Sequence, residues 1–165
     1  MGLYHLAQLN IGRVRGPIGS PVMAGFVALL DSVNQIADQS PGFVWRLQDD
    51  TGNANSFLPY AQDPATLMNM SVWETVEALR DFVYRSMHAQ PLKRRAEWFE
   101  RPTQAYTVLW WIQAGHIPTI AEAVERLEYR RANGDTPFAF SFANPFPPPG
   151  SEQVIQRSPE CGWQE

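Results

Sequence analysis

The sequence predicts an α+β fold: one antiparallel sheet with helices packed against it, in a single domain. Three observations carry that prediction. Short apolar or alternating segments bounded by turn residues recur along the chain, as strands require. Between them lie stretches whose apolar residues return every three to four positions, which is one face of a helix. The order is β-α-β-β-α-β before a further helix, neither the strict βα alternation of a parallel sheet nor the strand-only pattern of a sandwich.

Leu3 to Ile11 (LYHLAQLNI) alternates loosely without a breaker and is the first strand. After a loop rich in Gly and Pro, Ser20-Pro21 reads as an N-cap followed by proline at the first helical position. Val22, Phe26, Leu29, Leu30, Val33 and Ile36 then form the stripe of the first helix, which Pro41-Gly42 stops. Phe43 to Asp50 alternates strictly, with Phe43, Trp45 and Leu47 on one face and Val44, Arg46 and Gln48 on the other. A long polar loop leads to a third strand, Thr66 to Trp73.

The second helix runs from Glu74 to about Ala89, its stripe formed by Val76, Leu79, Phe82, Val83 and Ser86. Pro91 breaks the pattern, and Leu92 to Phe99 is a short further helix. Gln104 to Gln113 is the fourth strand and the most apolar, which predicts a central place in the sheet. Thr119 with Glu122 forms a capping box opening the last helix. Ile120, Val124, Leu127 and Arg131 are its expected core face, and Gly134 closes it. Pro137 to Phe142 reads as a fifth strand. The domain then covers 1–147, and 148–165 is a proline-rich tail.

The first six main elements are the ferredoxin-like split βαβ order. Helices on one face leave the other face of the sheet to be covered. That face is apolar if Trp45 and Trp110 point towards it, so a second copy of the chain, a homodimer, is the expected cover. Trp110 and Trp111, adjacent on a strand, must face opposite ways.

Bulk composition narrows the function classes. A chain of 165 residues with 44% hydrophobic and 18% charged residues is long enough, and apolar enough, to bury a core. Its six tryptophans fill that core or line a pocket for a flat organic ligand. A formal charge of −4 gives no reason to expect nucleic acid. Cys161 is the only cysteine, which removes disulfide frameworks and cysteine-based metal sites. No apolar run approaches a membrane span, and the N-terminus lacks a charged leader, so a cytoplasmic protein is expected.

The stretch MSVWETVEALRDFVY carries Trp-x-x-x-Glu-Ala-Leu-x-x-Phe after a strand, and it resembles the antibiotic-biosynthesis monooxygenase-like proteins of the dimeric α/β-barrel superfamily. The longer combination of FVYRSMH, RRAEWFE and VLWWIQAGHIPTIAEAVERLEYRRANGDTPFAFSF resembles the DUF3291 family over roughly residues 3 to 147. The resemblance implies a dimeric α/β barrel. It also implies a superfamily that includes cofactor-independent oxygenases of polyketide phenols, haem-degrading enzymes, lyases and isomerases. In haem-degrading members a strand asparagine, an aromatic residue and a helix histidine form the site. Asn10, Trp73 or Trp98, and His88 are a loose match to that trio. The added helix, fifth strand and tail depart from the short monooxygenases.

His88, near the end of the second helix, is the leading catalytic candidate, as a general base or as an axial haem ligand. On an ideal helix it shares a side with Glu77, Asp81 and Tyr84, a face that is otherwise solvated. Tyr84, four residues earlier, can touch it and hold a substrate oxygen. Trp98, Trp73, Trp111, Asn10, Arg85 and His116 are the candidate substrate-binding residues. Arg85, Lys93, Arg94 and Arg95 form a basic cluster that reads either as a solvated face countered by Glu97 and Glu100 or as an attractor for a carboxylate or enolate substrate. His5, His88 and His116 have no close metal spacing, so no metal site is expected unless His88 binds haem. The expected function is cofactor-free oxygenation, isomerisation or cyclisation of an apolar, polyketide-like substrate in secondary metabolism. A haem protein and a non-catalytic ligand-binding dimer are the alternatives.

Overall fold

The computed structural model describes residues 2–87 and 94–151. Four strands, β1 (Tyr4–Arg13), β2 (Phe43–Arg46), β3 (Thr66–Trp73) and β4 (Thr107–Gln113), form one sheet in the order β2-β3-β1-β4. Every neighbouring pair is antiparallel. α1 (Ala24–Asp38) joins β1 to β2, and α2 (Val76–Met87) follows β3. The short α3 (Arg95–Trp98) precedes β4, and α4 (Ile120–Asn133) follows it. The expected split βαβ order is the observed one. No helix among the described residues is long and apolar enough to cross a membrane.

Local chemistry sets the helix starts. Pro21 opens a single 3-10 turn, Pro21–Met23, ahead of α1, while the Ser20 hydroxyl donates to the Pro17 carbonyl at 2.5 Å. Thr75 Oγ1 accepts the Ala78 N–H at 3.0 Å at the start of α2. Thr119 Oγ1 accepts the Glu122 N–H at 3.1 Å at the start of α4. Only half of that capping box closes, because the Glu122 carboxylate turns away to the Trp110 indole N–H (3.0 Å) and to His116 Nε2 (2.8 Å). Burial favours the protonated acid there. The hydrogen bonds from His116 and Trp110 outweigh it and hold the carboxyl below its usual range.

Alternation along β1 sends Leu6, Gln8, Asn10 and Gly12 towards α1 and α2, and Ala7, Leu9 and Ile11 to the opposite face. That opposite face is where the structure departs most from expectation. Ala123 and Leu127 of α4, both fully buried, pack there against Ala7, Val108 and Trp110. Trp45, Leu47, Phe57 and Tyr60 pack half-buried against the same cluster. The second layer expected from another copy of the chain is supplied by the chain itself, so the uncovered face no longer argues for a homodimer.

Three further differences have physical causes. A register irregularity between Phe43 and Trp45 separates them, so Phe43 joins Trp73 on the α2 side while Trp45 joins the α4 side. β4 lies at an edge, not the centre; its apolarity reflects cover on both faces, by α4 over Trp110 and by Phe140 and Phe146 near Trp111. The expected fifth strand is reduced to a bridge, Leu109 and Phe140 exchanging two backbone hydrogen bonds of 2.8 and 2.9 Å. The inward face of α4 is Ala123, Leu127 and Arg130, one position round from the face expected.

Gly42, between α1 and β2, has φ +81°, and a Cβ there would lie 2.6 Å from Ala78 Cβ. Gly42→Ala is expected to cost about 2 kcal/mol or more through strain and crowding together. A lowered urea midpoint with an unchanged slope would show it.

Candidate functional site

A cavity of roughly 200 Å³ opens between the sheet and the two helices α1 and α2. Its floor is polar: Gln8 and Asn10 of β1, Asn69 of β3 and Arg46 of β2. Its roof is apolar, made by Phe26, Leu29, Leu30 and Val33 of α1 with Leu79, Phe82 and Val83 of α2. Asn34, Asn53 and Asn55 close one part of the rim; Gly12, Arg95 and Phe99 also line the wall.

The helix signals that this space is not core. Ala37 is the only buried residue of α1, although its stripe has the spacing of a packed face. Phe26, Leu29, Leu30 and Val33 are half-buried because they look onto an opening. Asn69 is exposed although β3 is an inner strand, for the same reason.

The floor is a hydrogen-bonded row. Asn10 and Asn69 stand opposite each other across β1 and β3. Gln8 Nε2 donates to Asn69 Oδ1 at 2.7 Å and to Ser71 Oγ at 2.8 Å, and the Trp73 indole N–H donates to the same hydroxyl at 2.8 Å. Arg46 is committed: it grips Asp38 at 2.7 and 3.2 Å and donates to the Gly52 carbonyl at 2.6 Å. Asn34 Nδ2 donates to Asn53 Oδ1 at 2.9 Å. The loop carrying Asn53 and Asn55 is tied by Asp49, which accepts from the Ser56 hydroxyl (2.6 Å), the Thr51 hydroxyl (2.5 Å) and the Thr51 N–H (2.8 Å). Those hydrogen bonds, Ser56's first, lower its carboxyl to about 2. The bonds therefore persist above the ordinary carboxylate range and are lost as pH falls through about 2.

α3 is pinned to the end of β1. The Arg15 N–H donates to the Trp98 carbonyl (2.8 Å), the Glu100 N–H to the Arg13 carbonyl (2.9 Å), and Arg15 Nε to the Ala96 carbonyl (2.9 Å). This placement splits the basic run. Arg94 is exposed and pairs with Glu97 at 2.8 Å, as expected of a solvated face. Arg95 turns inward to the cavity, its guanidinium 5.1 Å from the Phe99 ring centre and 5.2 Å from that of Tyr106. Burial lowers its pKa. Gly12 makes the room: a Cβ there would meet Phe99 Cδ1 at 2.7 Å.

The candidates named from sequence are dispersed. His88, Pro91 and Lys93 lie outside the described residues. Tyr84 is 42% exposed and Arg85 is exposed, and neither lines the cavity. Trp73 is fully buried, its ring stacked on Phe82 at 5.0 Å, one layer behind the roof. Trp98 is buried against Phe26 at 5.8 Å. The Trp111 indole N–H donates to the Phe146 carbonyl at 2.8 Å. His116 pairs with Glu122 on the α4 side of the sheet. Among the described residues of that set, Asn10 alone lines the cavity. Gln8, Asn34, Asn53 and Asn55 were not among them. The available signal was the pair Gln8 and Asn10, two residues apart on a helix-facing side of an otherwise apolar strand, with Asn69 and Ser71 repeating the pattern on β3.

Among the described residues, no three His, Cys, Asp or Glu converge as metal ligands. The described lining holds no histidine, cysteine or tyrosine to serve as an axial ligand, its two methionines, Met68 and Met70, are buried in the core cluster that α4 covers, and its volume lies below the usual ~300–1,000 Å³ of ligand sites. The described residues therefore do not fit haem, and that reading rests on His88 alone.

The fold and cleft define a split βαβ protein with an amide-floored, apolar-roofed cavity under its helices. The chain belongs to the DUF3291 family, described as a domain of unknown function, whose match spans residues 5–157. No curated protein matches the sequence significantly. Among solved structures, the chain is similar to SnoaB, a cofactor-independent oxygenase from Streptomyces nogalater: 13% identity over 68% of this chain and 95% of that one, TM-score 0.43. It is similar also to a monooxygenase from the gene ActVA-Orf6 of Streptomyces coelicolor in complex with nanaomycin D: 18% identity over 71% and 94%, TM-score 0.40. A protein of unknown function from Nitrosomonas europaea is a third: 13% identity over 71% and 97%, TM-score 0.42.

Proposed function

We propose that this protein is an enzyme acting on a small, partly apolar ring compound that it holds in the α1–α2 cavity by carbonyl or hydroxyl oxygens. The observation that carries the reading is the apolar stripe of α1, held half-buried above a floor of side-chain amides. Apolar walls with a few convergent polar groups are the usual make-up of a small-molecule site. Amides both donate and accept, so the floor suits oxygens that change between carbonyl and hydroxyl during reaction. The reaction is oxygenation without a cofactor, or isomerisation or cyclisation of the same activated carbonyl compounds. In the oxygenation the substrate is the reductant. A ring CH₂ becomes C=O, one atom of O₂ enters the product, and the other leaves as water with both hydrogens. The cavity's size favours one or two rings. A cytoplasmic setting and a place in secondary metabolism belong to the same proposal.

His88, assisted by Tyr84, is the proposed acid–base group. The described lining contains no His, Cys, Asp, Glu, Lys or Tyr, and so no group that titrates near neutral pH. The same observation favours a second reading, a non-catalytic ligand-binding protein. Oxygen uptake with a panel of one- and two-ring phenols and enolisable ketones separates the two. Val33→Trp fills the cavity and is expected to abolish turnover and binding while the thermal midpoint stays near wild type. Asn10→Ala is expected to lower kcat/KM about tenfold by removing one hydrogen bond to substrate. Unchanged turnover in Val33→Trp would remove the cavity from the reaction. Binding without turnover in wild type and in His88→Ala alike would favour the second reading. A Soret band in the purified protein, lost in His88→Ala, would instead establish haem.

A further inference from the structure

We propose that Gln8 is a positioning residue of the cavity floor. It turns the Asn69 side-chain amide so that its N–H donors face the cavity, and the site thereby selects a ligand that brings an acceptor oxygen to that point, a ring ketone or its enolate. The proposal rests on the small-molecule reading above and goes beyond it in naming which end of the amide meets the ligand and which residue decides it.

An asparagine amide has two ends of nearly equal size and opposite polarity, and without neighbours it turns either one to a ligand. The two asparagines of the floor differ in this respect. Among the described residues, the Asn10 side chain has no hydrogen-bond partner, so it suits a donor or an acceptor alike. Asn69, facing it across β1 and β3, is set. Its Oδ1 accepts from Gln8 Nε2 at 2.7 Å, which leaves Nδ2, with both hydrogens, as the end that no described residue engages. Gln8 is itself held. It stands opposite Ser71 in the register and reaches diagonally to Asn69, so one Nε2 hydrogen goes to each. Ser71 Oγ also accepts the Trp73 indole N–H at 2.8 Å. That ring, fully buried and stacked on Phe82, is the fixed start of the chain. Turning the Asn69 amide over would set Nδ2 against Gln8 Nε2, donor against donor, and lose the bond. Accepting at Oδ1 also polarises the Nδ2 hydrogens and strengthens them as donors. An oxygen that gains negative charge as a ketone enolises is held more strongly by the same donors.

The test titrates two bicyclic probes of similar size calorimetrically into the full chain: 1-indanone, which only accepts a hydrogen bond, and indole, whose N–H only donates one. Wild type is expected to bind 1-indanone about fivefold more tightly, the size of one neutral hydrogen bond. Gln8→Leu frees the Asn69 amide, and the ratio should fall below about twofold. Gln8→Glu puts an acceptor where the donor was; Asn69 then gives it Nδ2 and turns Oδ1 to the cavity, and the order of the two probes should reverse. Where one variant does not fold, the other decides. Both shifts should disappear in an Asn69→Ala background, which separates positioning from direct contact with the probe and from a loosened fold. Indole bound as tightly as 1-indanone by wild type, a preference unmoved in the Gln8 variants, or a shift that persists in Asn69→Ala overturns the assignment of Gln8 and leaves the cavity reading standing. If wild type binds neither probe, the two fall together.

Discussion

Trp73→Ala is expected to lower the stability of the fold by about 4 kcal/mol, in the range of large buried aromatic truncations. Trp73 has no solvent exposure, meets Phe43 edge-on at 5.4 Å, and stacks on Phe82 at 5.0 Å and 21°. Its indole N–H also anchors Ser71, which holds Gln8 in the cavity floor. The substitution therefore removes core volume and loosens both roof and floor of the cavity. Chemical denaturation would measure the stability loss, and ligand affinity should fall with it. A loss under 1 kcal/mol would mean that the Phe43–Trp73–Phe82 stack is not central to the α2 side of the core.

Asp135→Ala is expected to cost about 3–5 kcal/mol, the range for removing one partner of a buried ion pair. Arg130 and Asp135 meet at 2.6 Å with side-chain exposures of 7% and 12%. Ser141 (2.7 Å) and Asn144 (2.9 Å) donate to the same carboxylate. Arg130 also donates to the Thr107 carbonyl at 2.9 Å, so the pair ties α4, β4 and the 135–144 segment together. Burial favours the protonated acid; the bonds from Arg130, Asn144 and Ser141 outweigh it and depress the pKa. A depressed acid contributes its full stability above its unfolded pKa, near 4, and loses it as pH falls through the lower folded value. The gap between wild type and Asp135→Ala should thus be widest near neutrality and close as pH drops below about 4. Parallel denaturation midpoints across that range would show that this carboxylate does not stabilise the fold by ionisation.

The order of elements was readable because it depends on local signals. Ser20-Pro21, Pro41-Gly42 and Thr119 with Glu122 mark boundaries that hold to within a few residues. Placement across the sheet was less readable. β4 is apolar as a central strand would be, and only the position of α4 shows that an edge strand can be covered on both faces. The site was legible only in part because its floor is a property of register. Asn10 and Asn69 are 59 positions apart in sequence and become neighbours when β1 pairs with β3. Arg94 and Arg95 are adjacent and chemically alike, and composition treats them as one basic run. The backbone bonds that seat α3 send one outward to Glu97 and the other inward over Phe99. Tyr84 and Arg85, whose residue types suit a site, are exposed on α2 and stand outside the described lining of the cavity.

The packing of α4 onto the sheet has a consequence for how the molecule responds to dilution. Ala123 and Leu127 cover Ala7, Val108 and Trp110 from within the same chain. Burying this face is then a unimolecular event, and mass action has no hold on it. Its contribution to the melting temperature should be the same at nanomolar as at millimolar protein, which would not be true of a face sheltered by a second subunit.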